Sequence, residues 1–227
     1  MLSGLTILIP AFNEALSIES AVRAVLDNLP PALQNFEIIV INDNSTDATG
    51  AIVRKLVAND ERIRLIEHDR NKGKGAALRT GFRHNRMDRF LFMDADLQID
   101  IAELPAFLEQ GQEYDVVIGY RIGRKNPLIR RLLSKSYGLI VPRLLDFRVR
   151  DLGCPFKLFK ASSFSGINLV SNGLIIDAEL LFRLTRKGCR IKELPVCSHP
   201  RQQGRSTIRF RHFVEAIREL YAILRNR

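Results

Sequence analysis

Short apolar runs alternating with helical stripes constrain the first half of this 227-residue chain more than any other feature. Leu5 to Ile9 (LTILI) is continuously apolar and bounded by Pro10. Phe36 to Ile41 (FEIIVI), Ile63 to Glu67 (IRLIE), Arg89 to Met93 (RFLFM) and Asp115 to Gly119 (DVVIG) repeat the pattern. Runs of this kind suit strands covered on both faces. Between them, Ile18, Ala21, Val22, Val25, Leu26 and Leu29 recur at helical spacing before Pro30-Pro31. Ile52, Val53, Leu56 and Val57 form a second stripe, and GKGAALRTGFRH reads as a helix opening on glycines. Strand and helix alternating in this way predict an α/β fold, a mostly parallel sheet with helices on both faces.

After Gly119 the character changes. In YRIGRKNPLIRRLLSKSYGLIVPRLLDFRVRD basic residues alternate with leucine and isoleucine, which predicts an amphipathic helix or helix pair interrupted at Pro142. CPFKLFK follows, then a helix over DAELLFRLTRKG ended by Gly188, and a strand around RIKELPV. A final helix carries Phe213, Ala216, Ile217, Leu220, Tyr221 and Leu224. With no repeat, low-complexity tract or linker, residues 121–227 read as an extension of the domain begun by residues 1–120.

Lys and Arg number 35 against 25 Asp and Glu, a surplus of ten positive charges that favours phosphate, nucleic acid or a membrane surface. No Trp, only four Tyr and no zinc module speak against nucleic acid. Arginines interleaved with Leu128, Ile129, Leu132 and Leu133 give the composition of a helix lying among lipid headgroups. Cys154, Cys189 and Cys197 lack metal-ligand spacing and no signal peptide opens the chain, so a reducing compartment and buried thiols are expected. His68, His84, His199 and His212 are scattered and read as ordinary surface or core residues. No apolar run approaches the roughly 20 residues of a membrane-spanning helix, so a soluble or peripheral protein is expected.

In parallel sheets ligands sit beyond the carboxyl ends of the strands. Polar clusters fall at four such ends: PAFNE, NDNSTD, DRNKGKG and DADLQ. In the last, Asp94 and Asp96 end an apolar strand, and paired carboxylates there call for a cation supplied from outside. Oxygen ligands suit Mg²⁺ or Mn²⁺, with a diphosphate completing the shell. The plain alternative is a solvated turn with Asp94 capping the next helix. A phosphatase nucleophile would instead follow the first strand, with a hydroxyl residue two positions on. Asp43 reads equally as a turn residue or as an acceptor for a base N–H or ribose hydroxyl. Gly73 and Gly75 permit close backbone approach beside Lys74, a residue suited to phosphate, although the stretch matches neither dinucleotide nor P-loop spacing.

ILIPAFNE, IIVINDNSTD, NKGKGAALRTGF, FMDADLQ and VVIGYR together resemble the ordered motifs of family 2 glycosyltransferases, which have the GT-A fold. DLGCPFKLF, DAELLFRLTRKGCRIKELPV and RQQGRS resemble the later segments of the dolichyl-phosphate and polyprenyl-phosphate subgroup. The resemblance implies a nucleotide-sugar-binding half over 1–120 and an acceptor-binding half over 121–227. It implies a nucleotide-sugar pocket at Pro10, Ala11, Phe12, Asn13, Glu14, Ile41, Asp43, Lys74, Asp94, Ala95 and Asp96. Mg²⁺ or Mn²⁺ is expected at Asp94, Asp96 and Gln98, and an acceptor phosphate at Arg121, Arg130, Ser134 and Arg201. Asp94, Asp96 and Arg121 are the catalytic candidates. The implied reaction is inverting transfer of mannose or glucose from a GDP- or UDP-sugar to a polyprenyl or dolichyl monophosphate. It would occur on the cytoplasmic membrane face, in a peripheral enzyme docked on lipid or on a membrane-anchored partner subunit. A saccharide or protein hydroxyl acceptor, or an inactive nucleotide-binding docking subunit, are the alternatives. Asn42 where Asp is common, Thr207 where Lys is common and Pro155 where Gly is usual depart from the pattern.

Overall fold

The computed structural model describes residues 4–123, 138, 140–200 and 210–225. Seven strands form one sheet in the order β3-β2-β1-β4-β6-β5-β7. They are β1 (Leu5–Ala11), β2 (Phe36–Asn42), β3 (Ile63–Glu67), β4 (Arg89–Phe92), β5 (Val116–Ile122), β6 (Lys157–Lys160) and β7 (Ile191–Cys197). Pairing is parallel throughout except that β6 runs antiparallel to both neighbours, β4 and β5. The expected mostly parallel α/β architecture is therefore present, with a reversed strand that the alternation pattern did not announce. Because β5 reaches β4 only through β6, the front and rear halves of the chain interleave in one sheet.

Helices cover both faces, as the uninterrupted apolar strands require. On one side α1 (Ile18–Asn28), α2 (Thr49–Asn59) and α4 (Leu104–Gln110) bury Val22, Val25, Val53, Leu104 and Phe107 against Ile7, Ile38, Leu91 and Val117. On the other, α3 (Lys74–His84), α5 (Ile176–Arg186) and α6 (Phe210–Arg225) close over Leu8, Ile39, Phe90 and Phe159. Phe82, Phe90, Phe159 and Phe164 meet in this second layer, with neighbouring ring centroids 4.9–6.4 Å apart. The sheet's alternation sends Phe90 and Phe92 to the α3 side and Leu91 and Met93 to the α1 side.

Two boundaries differ from expectation. β1 continues through Pro10 to Ala11. The Leu8 carbonyl accepts from Met93 and the Ala11 carbonyl from Asp43, so Pro10 shares Leu8's side, just past the last pairing with β4, where a missing N–H costs nothing. Pro142 lies inside a helical stretch, 140–144, instead of interrupting it. Among the cysteines, Cys154 is buried and its thiol pushed up to about 11 by desolvation, but Cys197, at the end of β7, is exposed, contrary to the expectation of buried thiols.

Candidate active site

The four post-strand loops are bonded into one rim. The loop after β1 is sewn to the loop after β2: the Asn13 amide donates to Ser45 Oγ (3.0 Å), the Glu14 amide to Thr49 Oγ1 (2.9 Å) and the Ala15 amide to Asp47 Oδ2 (3.1 Å). The Thr46 amide returns a bond to Asn13 Oδ1 (2.8 Å). Asn13 (φ 57°) and Asn44 (φ 58°) turn these loops in a left-handed conformation that asparagine tolerates. Burial alone would raise the Asp47 carboxyl, but the Thr49 hydroxyl and amide and the Ala15 amide outweigh it and hold the group below 3.8.

Asp43 then ties the second loop to the third. Its carboxylate, 4 % exposed, accepts from the Lys72 and Gly73 amides (both 2.8 Å) and meets His68 Nδ1 at 2.6 Å. The other ring nitrogen of His68 reaches Thr80 Oγ1 at 3.0 Å. Both carboxylate oxygens thus serve the protein, which favours the anchoring reading over an acceptor open to a base or ribose. His68 was not singled out by its sequence context; its partners lie 25 and 12 residues away. Neighbouring Asn42 accepts from the Ser45 amide and donates Nδ2–H to Glu67 (3.0 Å). An aspartate there would face that second carboxylate, which gives the departure at Asn42 a physical reason.

The third loop meets the fourth through Lys74, whose ammonium lies 3.0 Å from Asp94 Oδ1. Even-numbered residues at the end of β4 face α3, and Lys74 is the first residue of that helix, so the contact follows from strand alternation. Lys74 is thus an internal cation answering the Asp94 charge, which the sequence reading did not anticipate. Desolvation lowers the Lys74 pKa, but Asp94, Asp177 and Asp96 together outweigh it and raise it. Past Asp96 the chain turns at Leu97, a branched residue at φ 53°, strain of the kind concentrated at functional sites. The turn brings Gln98 back onto Asp96, its amide N–H₂ donating to Oδ2 at 2.8 Å. Gln98, expected as a metal ligand, orients a carboxylate in this arrangement.

A second ion pair here escaped the sequence reading. Lys157, first residue of β6 and fully buried, lies 2.6 Å from Asp177 in the first turn of α5, and donates to the Cys154 carbonyl. Reversal of β6 brings it to the same rim, directly opposite Phe92. The Lys74 and Lys157 ammoniums both approach the Phe92 ring, at 4.8 and 5.6 Å from its centroid. Asp94, Asp177 and Asp96 all act on the Lys74 ammonium, and Asp177 also holds Lys157.

Gly73 and Gly75 make room for the protein itself. A Cβ on Gly73 would lie 2.5 Å from the Asn172 carbonyl oxygen, and one on Gly75 2.5 Å from that of Ser171. Their close backbone approach, expected to serve a ligand, serves the 171–172 segment. Ile41, expected in the nucleotide pocket, is fully buried with its side chain toward Gly81 of α3, and Ala95 is 3 % exposed. Pro10, Phe12, Asn13 and Glu14 are partly exposed at the rim. Arg121 sits at the end of β5 in a two-pronged pair with Asp151, Nε–Oδ2 2.7 Å and Nη2–Oδ1 2.8 Å. Desolvation lowers its pKa and the Asp151 bonds raise it to a net upward shift. Arg130, Ser134 and Arg201 lie outside the described residues, as do Arg124, Lys125, Arg131, Lys135, Arg205, Thr207 and Arg209.

Residues 6–167 match Glycosyl transferase family 2. The chain belongs to that family. Among curated family relatives, Glycosyltransferase AglD of Haloferax volcanii is 34% identical over 206 residues, 86% of this chain and 33% of that protein. Dodecaprenyl-phosphate galacturonate synthase of Rhizobium johnstonii is 28% identical, covering 97% of this chain and 66% of its own length. Dolichol-phosphate mannosyltransferase of Pyrococcus furiosus is also 28% identical, over 97% and 63%. The chain thus spans between a third and two thirds of these relatives. In fold it is similar to glucosyl-3-phosphoglycerate synthase from Mycobacterium tuberculosis, crystallised with Mn²⁺, UDP-glucose and phosphoglyceric acid. The TM-score is 0.71 at 18% identity, over 98% of this chain and 79% of that one. The expected GT-A architecture agrees with this likeness.

Proposed function

We propose that this family 2 glycosyltransferase chain moves a hexose, mannose or glucose, with inversion from a nucleoside diphosphate sugar to a polyprenyl or dolichyl monophosphate on the cytoplasmic membrane face. Relatives named for transfer to such lipid phosphates support the acceptor class. The observation that carries the reading is the bonded rim: four loops joined through Asn13, Asp43 and Lys74, presenting Asp94 and Asp96 at the strand ends.

That donor set fits a divalent cation. Asp94 has its side chain 32% exposed and supplies hard oxygen, and Asp96 is held in orientation by Gln98. Among the described residues no three His, Cys, Asp or Glu side chains form a cage. Mg²⁺ and Mn²⁺ keep waters and share phosphate oxygens. When bound, such an ion neutralises charge developing on the departing diphosphate. Lys74 contributes a positive charge to the same leaving group. An acceptor phosphate is already anionic near neutral pH, so alignment replaces proton abstraction. Arg121, immobilised by Asp151, is the proposed grip on that phosphate, with Arg130, Ser134 and Arg201 as further candidates.

Docking on a membrane or on an anchored partner goes with this acceptor. No helix among the described residues is long and apolar enough to cross a bilayer. Ile140, Leu144, Ile217 and Tyr221 expose 45–69% of their surface and offer apolar contacts. The test is incubation with radiolabelled GDP-mannose, UDP-glucose and related donors, Mn²⁺ or Mg²⁺, and a polyprenyl phosphate or a saccharide acceptor. Label extracted with the lipid supports the proposal. Label confined to water-soluble product would transfer it to a hydroxyl acceptor, and binding without transfer from any donor would reduce the chain to a nucleotide-binding subunit.

A further inference from the structure

We infer that Glu219, on the C-terminal helix α6, is a positioning residue for the donor site: it clamps the 172–173 peptide so that α3 begins where Lys74 can hold Asp94. The inference deepens the proposed function and rests on it only for the consequence in nucleotide binding.

The Glu219 carboxylate accepts the Asn172 amide on Oε1 at 2.7 Å and the Gly173 amide on Oε1 and Oε2 at 3.1 and 3.2 Å. The Gly173 N–H and the Asn172 C=O belong to one planar peptide unit and point opposite ways. Fixing the N–H on Glu219 therefore aims the carbonyl away from α6, and it meets the Gly75 amide at 2.7 Å. This is the contact for which Gly73 and Gly75 leave out their side chains. The preceding residues are fixed by other groups: the Val170 and Ser171 amides donate to Glu179 at 2.8–3.1 Å, and Arg79 donates to the Ser171 carbonyl and to Asn172 Oδ1. Only Glu219 holds the 172 and 173 amides among the bonds described. From Gly75 the path is short. Lys74 precedes it and pairs with Asp94, while the Lys72 and Gly73 amides complete Asp43. One carboxylate near the chain's end thus sets the backbone that joins both acidic positions of the rim.

The test follows backbone hydrogen exchange over residues 70–78 in Glu219→Ala, Glu219→Gln and a same-helix control, Glu215→Ala. Glu219→Ala should lose at least about tenfold in protection at the Lys72, Gly73 and Gly75 amides while the β1 and β2 amides keep theirs. Glu219→Gln, which retains one oxygen for the 172 and 173 amides, should recover most of it, and Glu215→Ala should match the parent chain. Binding of UDP or GDP with Mn²⁺ should weaken at least about fivefold in Glu219→Ala with little change in melting temperature. Unchanged protection at 72–75, or an equal loss across the whole sheet, overturns the inference. If neither nucleotide binds the parent chain, the functional reading falls while the exchange result still decides the clamp.

Discussion

Asp43 and Asp94 end the two strands that flank β1, and they are treated in opposite ways. Asp43 is sealed: an imidazole and two backbone amides occupy its oxygens, and those partners belong to fixed loops. Asp94 is about a third exposed at its side chain and met by the end of one long, rotatable lysine. A carboxylate held by fixed dipoles serves the fold, because its partners cannot leave without breaking the loop. A carboxylate held by a flexible ammonium can change partners at small cost, as a site that takes up and releases a charged ligand requires.

Replacing Asp94 with Asn should separate the two most sharply. Turnover should fall about 10²- to 10³-fold in the label-transfer assay. Its melting temperature should stay within about 2 °C of the parent's. Equal loss of stability would make Asp94 a second anchor. Asp43→Ala should do the reverse, costing about 2–3 kcal/mol in urea unfolding because it leaves buried donors unpaired. A stability unchanged within error would return Asp43 to the ligand-binding role.

Lys74→Met tests whether the ammonium competes with a bound cation. Calorimetric Mn²⁺ affinity should rise about threefold as the charge balance becomes more negative, while turnover drops. Weaker Mn²⁺ binding would show that the hold of Lys74 on Asp94 matters more to the ion than the competing charge does. The smallest effect concerns Asp47, whose carboxyl is held below 3.8 in the fold. Its contribution is complete above that value and is lost as pH falls through the folded-state pKa. The stability gap between the parent and Asp47→Asn, read by urea titration, should therefore narrow as pH is lowered below 3.8.

The contrast also explains what the sequence could reveal. β1 to β4 were legible because strands buried on both faces leave an unbroken apolar record, and the four loops because polar residues cluster where those strands stop. β6 was not. A four-residue strand opening and closing on lysine reads as surface, and the group that permits burial of Lys157 is Asp177, 20 residues downstream. The glycines of NKGKG were visible, but what they accommodate lies nearly a hundred residues further on, at Ser171 and Asn172. Local patterns record which faces are buried and where the chain turns. They do not record which distant backbone fills a space or which ammonium neutralises a carboxylate.

The reversed strand carries a practical consequence for anyone shortening this chain. Cutting after residue 120 would remove β6 and β7, leaving β4 with a bare row of amides and carbonyls and a shortened β5 with no neighbour, invitations to pair with another molecule. Such a fragment should precipitate or form strand-paired oligomers, so residues 1–120 cannot be harvested by truncation alone.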